Sequence, residues 1–598
     1  MFERRLLNWL LALAALAALI AVPLAIGNQY YIQILANIGI NVILVLGLNV
    51  ITGTAGQLSL CQGSFFALGA YGSALLVMRA GLSFWLALPV AAVGTGVVGL
   101  IVGVPALRLR GHYLVMLTLG LAVLVEQILT NWVSLTRGPA ALIGIPWPDP
   151  IHLGVFDLRV ATRERYYVLI VVVAALVIYA MLRLNRSRLG VSLQSLRDDE
   201  TAAELMGIDT RWCKLIAFAL SALLGGLAGG LYAHFAKILA PDEFGIMESV
   251  NILMMLIVGG IGSVAGSVIG AVTLTILPEI LRSFAEWRFV FYGVALMIVV
   301  PFFPQGLIAG VRRLIPLRSG ASRGAYAGGE DGQGDAAPAH AHSGALLVVD
   351  HLAKRFAGLT AIADISLSVG QGEILGLIGP NGSGKTTLLN LISGALQPSG
   401  GEIRVGGRRF SHVRPHELSH AGISRTFQKI RLFREMTVLE NVIAAMAPRR
   451  VPPVLSSFWR GRVFGSLSQD KARAMQLLRQ VGLEQRAAEL ARNLSYGEQR
   501  MLEIARALAT NPRILLLDEP AAGLSRIDMR LLETAIVGIR AAGIAVVLVE
   551  HHMRFLMSIA TRIVVLNFGK VIFDGAPAAA RHDEAVLTAY LGTRRDVR

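Results

Sequence analysis

Charged side chains and cysteines are scarce in this 598-residue sequence. Charged residues make up 16% of it and hydrophobic residues 54%, a balance that excludes an ordinary soluble enzyme and implies a membrane part. The two cysteines, Cys61 and Cys213, exclude a disulfide framework and lack metal-ligand spacing, so we expect both to be packing residues. Acidic residues number 39 against 55 basic ones, and many basic residues lie in short loops between apolar segments. This pattern is typical of the positive-inside rule, and we predict no nucleic-acid partner.

A phosphate-binding loop is the most specific motif. The sequence GPNGSGKTT, residues 379–387, follows the apolar strand EILGLI and precedes the helical LLNLISGAL, so it fits G-x-x-x-x-G-K-S/T in the required context. Glycines let several N–H groups point at one anion above a helix N-terminus. Lys385 is expected to reach the β- and γ-phosphates of ATP, and the Thr386 hydroxyl to ligate Mg²⁺. The predicted nucleotide-binding residues here are Gly379, Pro380, Asn381, Gly382, Ser383, Gly384, Lys385, Thr386 and Thr387.

Apolar segments of about 20 residues, the length that spans a membrane, fill the first half of the chain. Arg4 and Arg5 precede the first of them, which resembles a signal peptide but is expected to stay as a first span with its N-terminus in the cytoplasm. The basic loop at 183–214 then also falls inside the cell, in agreement with the charge bias. The segments lie near 6–26, 31–51, 57–78, 85–106, 112–132, 166–184, 214–235, 248–282 and 289–309.

The number of segments conflicts with the position of the phosphate-binding loop. Nine crossings would put that loop outside the cell, where there is no ATP. Segment 248–282 is interrupted at GGIGSVAG, residues 259–266, which favours a broken helix lining a pathway or a close helix contact. We therefore expect about eight to ten spans, with re-entrant pieces there and at 53–63. Glu126 is either a functional acid inside the membrane or a residue at a helix end.

Three polar stretches separate or follow the apolar segments. Residues 133–165 are Pro-rich and expected outside the cell, as a partner surface or a plain connector. Residues 187–215 contain TAAELMG, which resembles the E-A-A-x-x-x-G loop by which importer permeases dock on their ATPases. Residues 317–344 are rich in Gly, Ala and Ser and predict a flexible linker, in which His340 and His342 are expected to be solvated. The predicted domains are therefore a permease domain at 1–316, the linker, and an ATPase domain at 345–598.

Recognisable phrases in the first half carry a family resemblance. GLNVITGTAGQLSLCQGSFFALGAYG, LRLRGHYLVMLTLG, SRLGVSLQSLRDDETAAELMGI and FFPQGL resemble the M-type permeases of high-affinity branched-chain amino-acid ABC importers. The likeness covers roughly residues 28–310. Related permeases for urea, amides and aromatic acids share much of it.

The second half resembles the G-type ATPase of the same importers over about 346–594. The resemblance implies that Phe356 stacks on adenine and that Gln428 is a ligand of Mg²⁺ and a contact for the attacking water. LSYGEQ, residues 494–499, matches the ABC signature, in which Ser495, Gly497 and Gln499 contact the nucleotide held by a second ATPase domain. Tyr496 stands where the signature has glycine, a replacement that these ATPases tolerate.

The remaining catalytic positions come from two apolar runs. In RILLLDEP, Asp518 is expected to hold Mg²⁺ through water, and Glu519 to act as general base or to polarise the water. After AVVLVE, His551 matches the histidine that contacts the γ-phosphate. His552 stands where the family has Asp, and Ser525 where it has Asp or Asn. Positioning and charge stabilisation are what this hydrolysis needs.

The sequence thus predicts a polytopic α-helical membrane domain fused to an α/β P-loop ABC nucleotide-binding domain. The resemblance implies ATP-driven import of branched-chain amino acids or related small polar solutes across the bacterial cytoplasmic membrane, with the ATPase domain in the cytoplasm. Its expected partners are an external solute-binding protein, membrane lipid, and a second permease and ATPase or a second copy of the chain. Import of urea, amides or aromatic acids is the alternative, and a non-transport membrane ATPase is an alternative of another class. The short cytoplasmic loops argue against an ABC exporter.

Overall fold

The computed structural model describes residues 14, 17–21, 28–109, 111–153, 156–158, 160–280, 290, 293, 297, 306–307, 345–411, 414–446 and 462–591. The chain divides into two compact units. The first comprises residues 1–197 and 211–319, and the second comprises residues 198–210 and 320–598. The predicted linker, 317–344, lies outside the described residues, as do almost all of the predicted segments 6–26 and 289–309.

The first unit is built from apolar helices. Five helical stretches in the described part of the chain are long and apolar enough to cross a membrane: Gln29–Thr54, Phe84–Ala106, His112–Asn131, Arg163–Asn185 and Thr210–Ala236. Gln62–Met78 and Val264–Ile280 are shorter apolar helices. The helices of this region are α1 (Gln29–Leu48), α2 (Gln62–Met78), α3 (Phe84–Ala106), α4 (His112–Asn131), α5 (Val133–Thr136), α6 (Arg163–Asn185), α7 (Arg188–Asp198), α8 (Glu200–Leu205), α9 (Thr210–Ala236), α10 (Ile246–Gly259) and α11 (Val264–Ile280).

The long apolar segment breaks where its glycines predict. Helix α10 ends at Gly259 and α11 begins at Val264. The stretch 53–63, which is predicted to be re-entrant, is irregular in the structure, because α1 runs into a π-helical turn at Asn49–Thr54 and α2 begins only at Gln62. The two breaks meet: the Gly262 amide donates a 2.8 Å hydrogen bond to the Asn49 side chain. Two irregular backbone segments thus lie together inside a unit of apolar helices.

Short strands and a close approach between α4 and Gly245 complete this unit. Strand β1 (Leu142–Ile143) pairs antiparallel with β4 (Ile238–Leu239), and β2 (Ile151–Leu153) pairs with β3 (Phe156–Leu158). Glu126 lies within α4, and a Cβ atom on Gly245 would come within 2.7 Å of its carboxylate. Cys61 and Cys213 are buried and are not joined in a disulfide, which agrees with their prediction as packing residues.

The second unit contains a ten-stranded mixed sheet. Its order is β10-β11-β12-β7-β13-β14-β6-β5-β8-β9, in which β10, β11, β12, β7 and β13 run parallel. The strands are β5 (Leu347–Phe356), β6 (Leu359–Val369), β7 (Ile374–Ile378), β8 (Gly400–Val405), β9 (Arg408–Phe410), β10 (Ile423–Arg425), β11 (Ile514–Asp518), β12 (Ala545–Val549), β13 (Arg562–Asn567) and β14 (Lys570–Gly575). The central strands β7, β11 and β12 are buried along their whole length, as apolar parallel strands are in α/β domains.

Helices surround this sheet and bury two apolar clusters. They are α12 (Lys385–Ile392), α13 (Pro415–His420), α14 (Val438–Ala445), α15 (Arg462–Gln480), α16 (Tyr496–Ala509), α17 (Arg526–Ala541), α18 (Met553–Ile559), α19 (Pro577–Ala580) and α20 (Glu584–Leu591). One cluster includes Leu502, Leu515 and Leu548, and the other includes Leu375, Leu389 and Leu516. Alternate residues of the parallel strands therefore pack into different clusters. The loops after β7, β10, β11 and β12 leave the same edge of the sheet, which is where α/β folds bind ligands.

Candidate active site

The phosphate-binding loop connects β7 to α12. Gly379 and Gly384 have φ angles of 151° and 102°, and a Cβ atom on Gly379 would lie 2.1 Å from the Leu566 carbonyl oxygen. Both positions therefore require glycine. The Lys385 ammonium donates to the carbonyl oxygens of Gly379 and Pro380 at 2.8 and 2.9 Å. Burial lowers the pKa of Lys385, while Glu519 and Asp518 raise it, so a cation lies beside two acids at the loop.

The other predicted loop residues are placed by the start of α12. Thr386 and Thr387 occupy its first turn, and Asn381 and Gly382 are exposed at the tip of the loop. Ser383 is buried, and its hydroxyl lies 3.4 Å from the Lys385 ammonium. A helix N-terminus preceded by exposed backbone amides is a site for phosphate.

Asp518 ends β11 and is almost fully buried. Its Oδ2 atom accepts a 3.0 Å hydrogen bond from Arg425, whereas its Oδ1 atom has no partner among the residues that the structure describes. Burial raises the pKa of Asp518, and the Arg425 guanidinium lowers it. A buried carboxylate oxygen without a donor fits a hydrated Mg²⁺, which prefers oxygen ligands and keeps several of its waters. The exposed Thr386 hydroxyl supplies a second oxygen of the kind that this ion prefers.

Three predicted catalytic residues meet at Glu519. The Gln428 side-chain amide donates a 2.9 Å hydrogen bond to Glu519 Oε2, and His551 Nε2 lies 3.1 Å from Glu519 Oε1. Glu519 has a φ angle of 48°, which is unusual for a residue with a side chain. Its backbone amide donates to the Val549 carbonyl oxygen at 2.9 Å. The site therefore holds one carboxylate between a neutral donor and an imidazole.

Phe356 and the signature residues lie on separate elements. Phe356 ends β5 with 41% of its surface exposed, and the Lys354 ammonium lies 5.0 Å from its ring centre. Ser495 caps α16: its hydroxyl accepts from the Glu498 amide and its own amide donates to the Glu498 carboxylate. Gly497 has no room for a Cβ atom beside Asp528, and Gln499 donates to the Leu494 carbonyl oxygen. Within the described part of the chain, no hydrogen bond or ion pair joins Ser495, Gly497 or Gln499 to the phosphate-binding loop or to Glu519.

The two departures from the family pattern are both helix caps. The Ser525 hydroxyl accepts from the Asp528 amide at 3.2 Å and begins α17. The His552 Nδ1 atom accepts from the Phe555 amide at 3.3 Å and begins α18. Asp and Asn are also strong N-caps, so these substitutions keep the local backbone function of the position.

Sequence reasoning missed the buried ions that hold the Gln428 loop. Arg500 and Glu503, both on α16, are fully buried and form a 2.7 Å ion pair. Arg500 also donates to the carbonyl oxygens of Phe427 and Gln428, at 2.7 and 3.0 Å, and Glu503 accepts from the Phe427 amide at 3.1 Å. Burial raises the pKa of Glu503. The only signal in the sequence is that charged residues recur on the buried side of an amphipathic helix.

Residues 198–210 pack within the ATPase unit. Met206 belongs to the same apolar cluster as Leu432 and Val438. Asp199 caps α8 and forms a 3.2 Å ion pair with Arg431, three residues beyond Gln428.

The same segment makes polar contacts with α13 and with the loop that precedes α14. The His420 imidazole lies 2.9 Å from the Gly207 carbonyl oxygen, and the Glu435 amide donates to Asp198 at 3.2 Å. His416 is buried, with ring nitrogens 3.9 and 4.0 Å from the carboxylates of Glu204 and Asp209. The stretch containing TAAELMG therefore lies against the ATPase fold, close to the loop that carries Gln428.

Family models match both halves of the chain. The branched-chain amino acid transport system permease component matches residues 30–300, and the ABC transporter model matches residues 362–522. The branched-chain amino acid ATP-binding cassette transporter model matches residues 570–596. The permease model thus covers the apolar helices, and the ABC transporter model covers much of the ten-stranded sheet.

Curated relatives match each half separately. LivG of Salmonella typhimurium, a high-affinity branched-chain amino acid transport ATP-binding protein, is 41% identical over 249 residues, which are 41% of this chain and 98% of LivG. BraF of Pseudomonas aeruginosa, of the same description, is 40% identical over the same shares. The permease protein LivM of Escherichia coli is 35% identical over 306 residues, 48% of this chain and 72% of LivM. The chain therefore belongs to the branched-chain amino acid ABC transporter family, as a multi-pass membrane protein that carries a permease and an ATP-hydrolysing domain in one polypeptide.

Proposed function

We propose that this chain is a fused permease and ATPase subunit that imports branched-chain amino acids by hydrolysing ATP. The observation that carries the proposal is the position of residues 198–210. This stretch belongs to the permease sequence, yet Met206 packs in the core of the ATPase unit and Asp199 pairs with Arg431. A permease segment beside the Gln428 loop is what mechanical coupling requires. We place the permease domain at 1–316, the linker at 317–344 and the ATPase domain at 345–598, with residues 198–210 as the inserted contact.

We assign a role to each residue that the sequence predicts around the nucleotide. Phe356 stacks on adenine, while Lys385 and the amides of residues 379–387 bind the phosphates. Thr386, Gln428 and Asp518 would hold Mg²⁺, which neutralises phosphate charge. Glu519 orients the attacking water and accepts its proton, and Gln428 and His551 hold the Glu519 carboxylate from two sides. Positioning and electrostatic stabilisation then supply most of the rate.

The signature residues imply a second ATPase domain. In the part of the chain that the structure describes, the side-chain hydrogen bonds of Ser495 and Gln499 stay within α16 and the turn before it, which leaves this helix start available to a nucleotide bound elsewhere. We propose that the chain pairs with a second permease and ATPase, or with a second copy of itself. An external solute-binding protein delivers the solute, and lipid surrounds the apolar helices. The assembly lies in the bacterial cytoplasmic membrane with the ATPase domain in the cytoplasm.

Uptake by cells tests this function. Labelled leucine, urea, an amide and an aromatic acid are supplied to cells carrying the intact chain, a deletion, or Glu519→Gln. We expect leucine uptake to disappear in both defective strains. Disappearance of another solute's uptake would instead assign that solute, and unchanged uptake of all four with intact ATP hydrolysis would favour a non-transport ATPase. Arg479→Gln, which removes an exposed ion pair with Glu484, is the matched control and should leave uptake unchanged.

A further inference from the structure

Glu550 is a buried carboxylate that follows β12 and precedes His551. Only 3% of its surface is exposed. Its Oε1 atom accepts a 2.7 Å hydrogen bond from the Ala521 amide. Its Oε2 atom accepts from the amides of His551 and His552, at 3.2 and 3.4 Å. One side chain therefore bonds three backbone amides on two different loops.

These loops leave neighbouring parallel strands. Strands β11 and β12 pair so that Asp518 lies opposite Val549, which places Glu519 and Glu550 side by side at the strand ends. Ala521 follows Glu519 by two residues. The Glu550 carboxylate thus joins the backbone beyond Glu519 to the backbone of His551.

Glu550 has no cationic partner among the residues that the structure describes. Burial and the nearby Glu519 carboxylate raise the pKa of Glu550, while the backbone amides of Ala521, His551 and His552 lower it. Burying a carboxylate without a cation costs free energy, which three amide donors only partly offset. An apolar residue at this position would pack without that cost. The benefit of an acid here is therefore that it holds the two loops in place.

The backbone beyond Glu519 needs such an anchor. Glu519 has a φ angle of 48°, a conformation that persists only where the surroundings fix it. The Glu519 amide is bonded to the Val549 carbonyl oxygen on one side, and the Ala521 amide is bonded to Glu550 on the other. These two hydrogen bonds hold the backbone on both sides of the Glu519 side chain, whose Oε1 atom lies 3.1 Å from His551 Nε2.

We propose that Glu550 is a positioning residue that holds the loops of Glu519 and His551 in the arrangement that ATP hydrolysis requires. This role rests on the proposed function, since it concerns the hydrolytic step. Glu550 does not touch the phosphates in this account. It acts through Glu519 and His551, and its loss should affect kcat rather than nucleotide affinity.

Glu550→Gln tests the proposal with almost no change in volume. The amide keeps one acceptor oxygen but puts an NH₂ group against a backbone N–H, so it cannot bond both loops. In the full chain, purified with its co-purifying subunits, we expect kcat for ATP hydrolysis to fall about 10- to 100-fold, because a small misplacement of reacting groups costs about that much. The Kd of ATP should change by less than about 2-fold, since Lys385 and Phe356 are untouched.

Glu402→Gln is the matched control. Glu402 is also a buried acid, on β8, where it pairs with Arg404 and Arg409. Its loss removes a buried carboxylate of the same domain without touching the site, and kcat should stay within about 2-fold of the wild type. An equal fall of kcat in Glu402→Gln and Glu550→Gln would overturn the proposal, because both effects would then follow from lost stability.

Two further variants complete the test. In a His551→Ala background, Glu550→Gln should lower kcat by a smaller factor than in the wild type, because only its effect through Glu519 then remains. A full additional loss would overturn the assignment. Where Glu550→Gln does not fold, Glu550→Asp decides, because it keeps the charge and shortens the reach by one methylene. A kcat lowered about 5-fold or more with unchanged Kd supports the role, and an unchanged kcat overturns it.

The wild type separates this inference from the proposed function. If the intact chain hydrolyses no ATP under any condition, the proposed function itself fails. If it hydrolyses ATP and Glu550→Gln matches it, only the positioning role of Glu550 fails.

Discussion

The Gln428 side chain donates a 2.9 Å hydrogen bond to the carboxylate of Glu519, from a loop that α16 holds by its backbone. Three residues further along the same loop, Arg431 pairs with Asp199, which lies in residues 198–210 of the permease sequence, here called the docking segment. One short loop therefore contacts Glu519 at one end and a segment of the permease sequence at the other. We propose that this arrangement couples ATP hydrolysis to movement of the permease.

Gln428→Ala should lower kcat for ATP hydrolysis on the order of 10²-fold, the usual effect of removing one aligned donor from an active site. Glu519 then loses the amide that orients one of its oxygens. Steady-state ATPase assays on the full chain measure the loss. Gln371→Ala, at an exposed turn before β7, is the control and should keep wild-type kcat. A Gln428→Ala variant with wild-type kcat would exclude a catalytic role for this amide.

Arg425→Met should move the acid limb of hydrolysis to higher pH. The Arg425 guanidinium lowers the pKa of Asp518 against the effect of burial, so its removal raises that pKa further. The carboxylate is then protonated at a higher pH, and a protonated Asp518 is a poor partner for Mg²⁺. The pH dependence of kcat/KM for Mg·ATP measures the shift. The control is Arg562→Met, at the opposite end of the parallel strands, which should leave the acid side of the pH profile unchanged. An unchanged acid side of the pH profile in Arg425→Met would contradict the electrostatic account.

Glu503→Gln should destabilise the ATPase domain by roughly 3–5 kcal/mol, because it leaves the fully buried Arg500 without its counter-ion. Thermal unfolding of the full chain, followed at the ATPase transition, measures the loss. The double variant Arg500→Met/Glu503→Leu should recover only part of it, because it removes the unpaired charge of Arg500 but leaves the Phe427 amide and the carbonyl oxygens of Phe427 and Gln428 without these partners.

The matched comparison for Glu503 is an exposed ion pair. Glu484→Gln removes the partner of Arg479 at the surface and should cost less than about 1 kcal/mol. Equal destabilisation by Glu484→Gln and Glu503→Gln would mean that burial of the pair has no special effect.

Arg431→Glu should reduce solute transported per ATP hydrolysed. It places an acid opposite Asp199 and so weakens the contact between the Gln428 loop and the docking segment. Transport and hydrolysis measured on the same preparation give the ratio. Arg434→Glu makes the same charge change at an exposed neighbouring residue and should leave the ratio unaltered. An unchanged ratio in both variants would argue against coupling through this contact.

Much of the site could be predicted because its chemistry fixes residue type and spacing. A loop that binds phosphate needs glycines before Lys385, and this spacing can be recognised in the sequence. Two adjacent acids at the end of a buried strand, as at Asp518 and Glu519, can be recognised in the same way. The glycines at 259–266 likewise predict the break between α10 and α11.

Other features depend on contacts that are distant in sequence. Arg500 bonds the Phe427 and Gln428 carbonyl oxygens across 73 and 72 residues, and Glu550 bonds the Ala521 amide across 29. A hydrogen bond between a side chain and a backbone group far away in the sequence produces no repeating pattern of residues, so the sequence does not reveal it. The apolar segment predicted from about 57 begins too early, because α2 starts at Gln62. Composition predicts a separate piece at 53–63, but it does not show the hydrogen bond between the Gly262 amide and Asn49 that joins the two breaks.

The most direct test of ATP-driven import is leucine uptake by proteoliposomes that contain the purified assembly. ATP and Mg²⁺ are enclosed on the ATPase side, and the solute-binding protein is supplied on the other. We expect uptake that requires ATP, that proceeds in proportion to hydrolysis, and that is abolished by Glu519→Gln while ATP binding persists. Leucine uptake that continues without ATP, or at the wild-type rate in Glu519→Gln, would contradict the account.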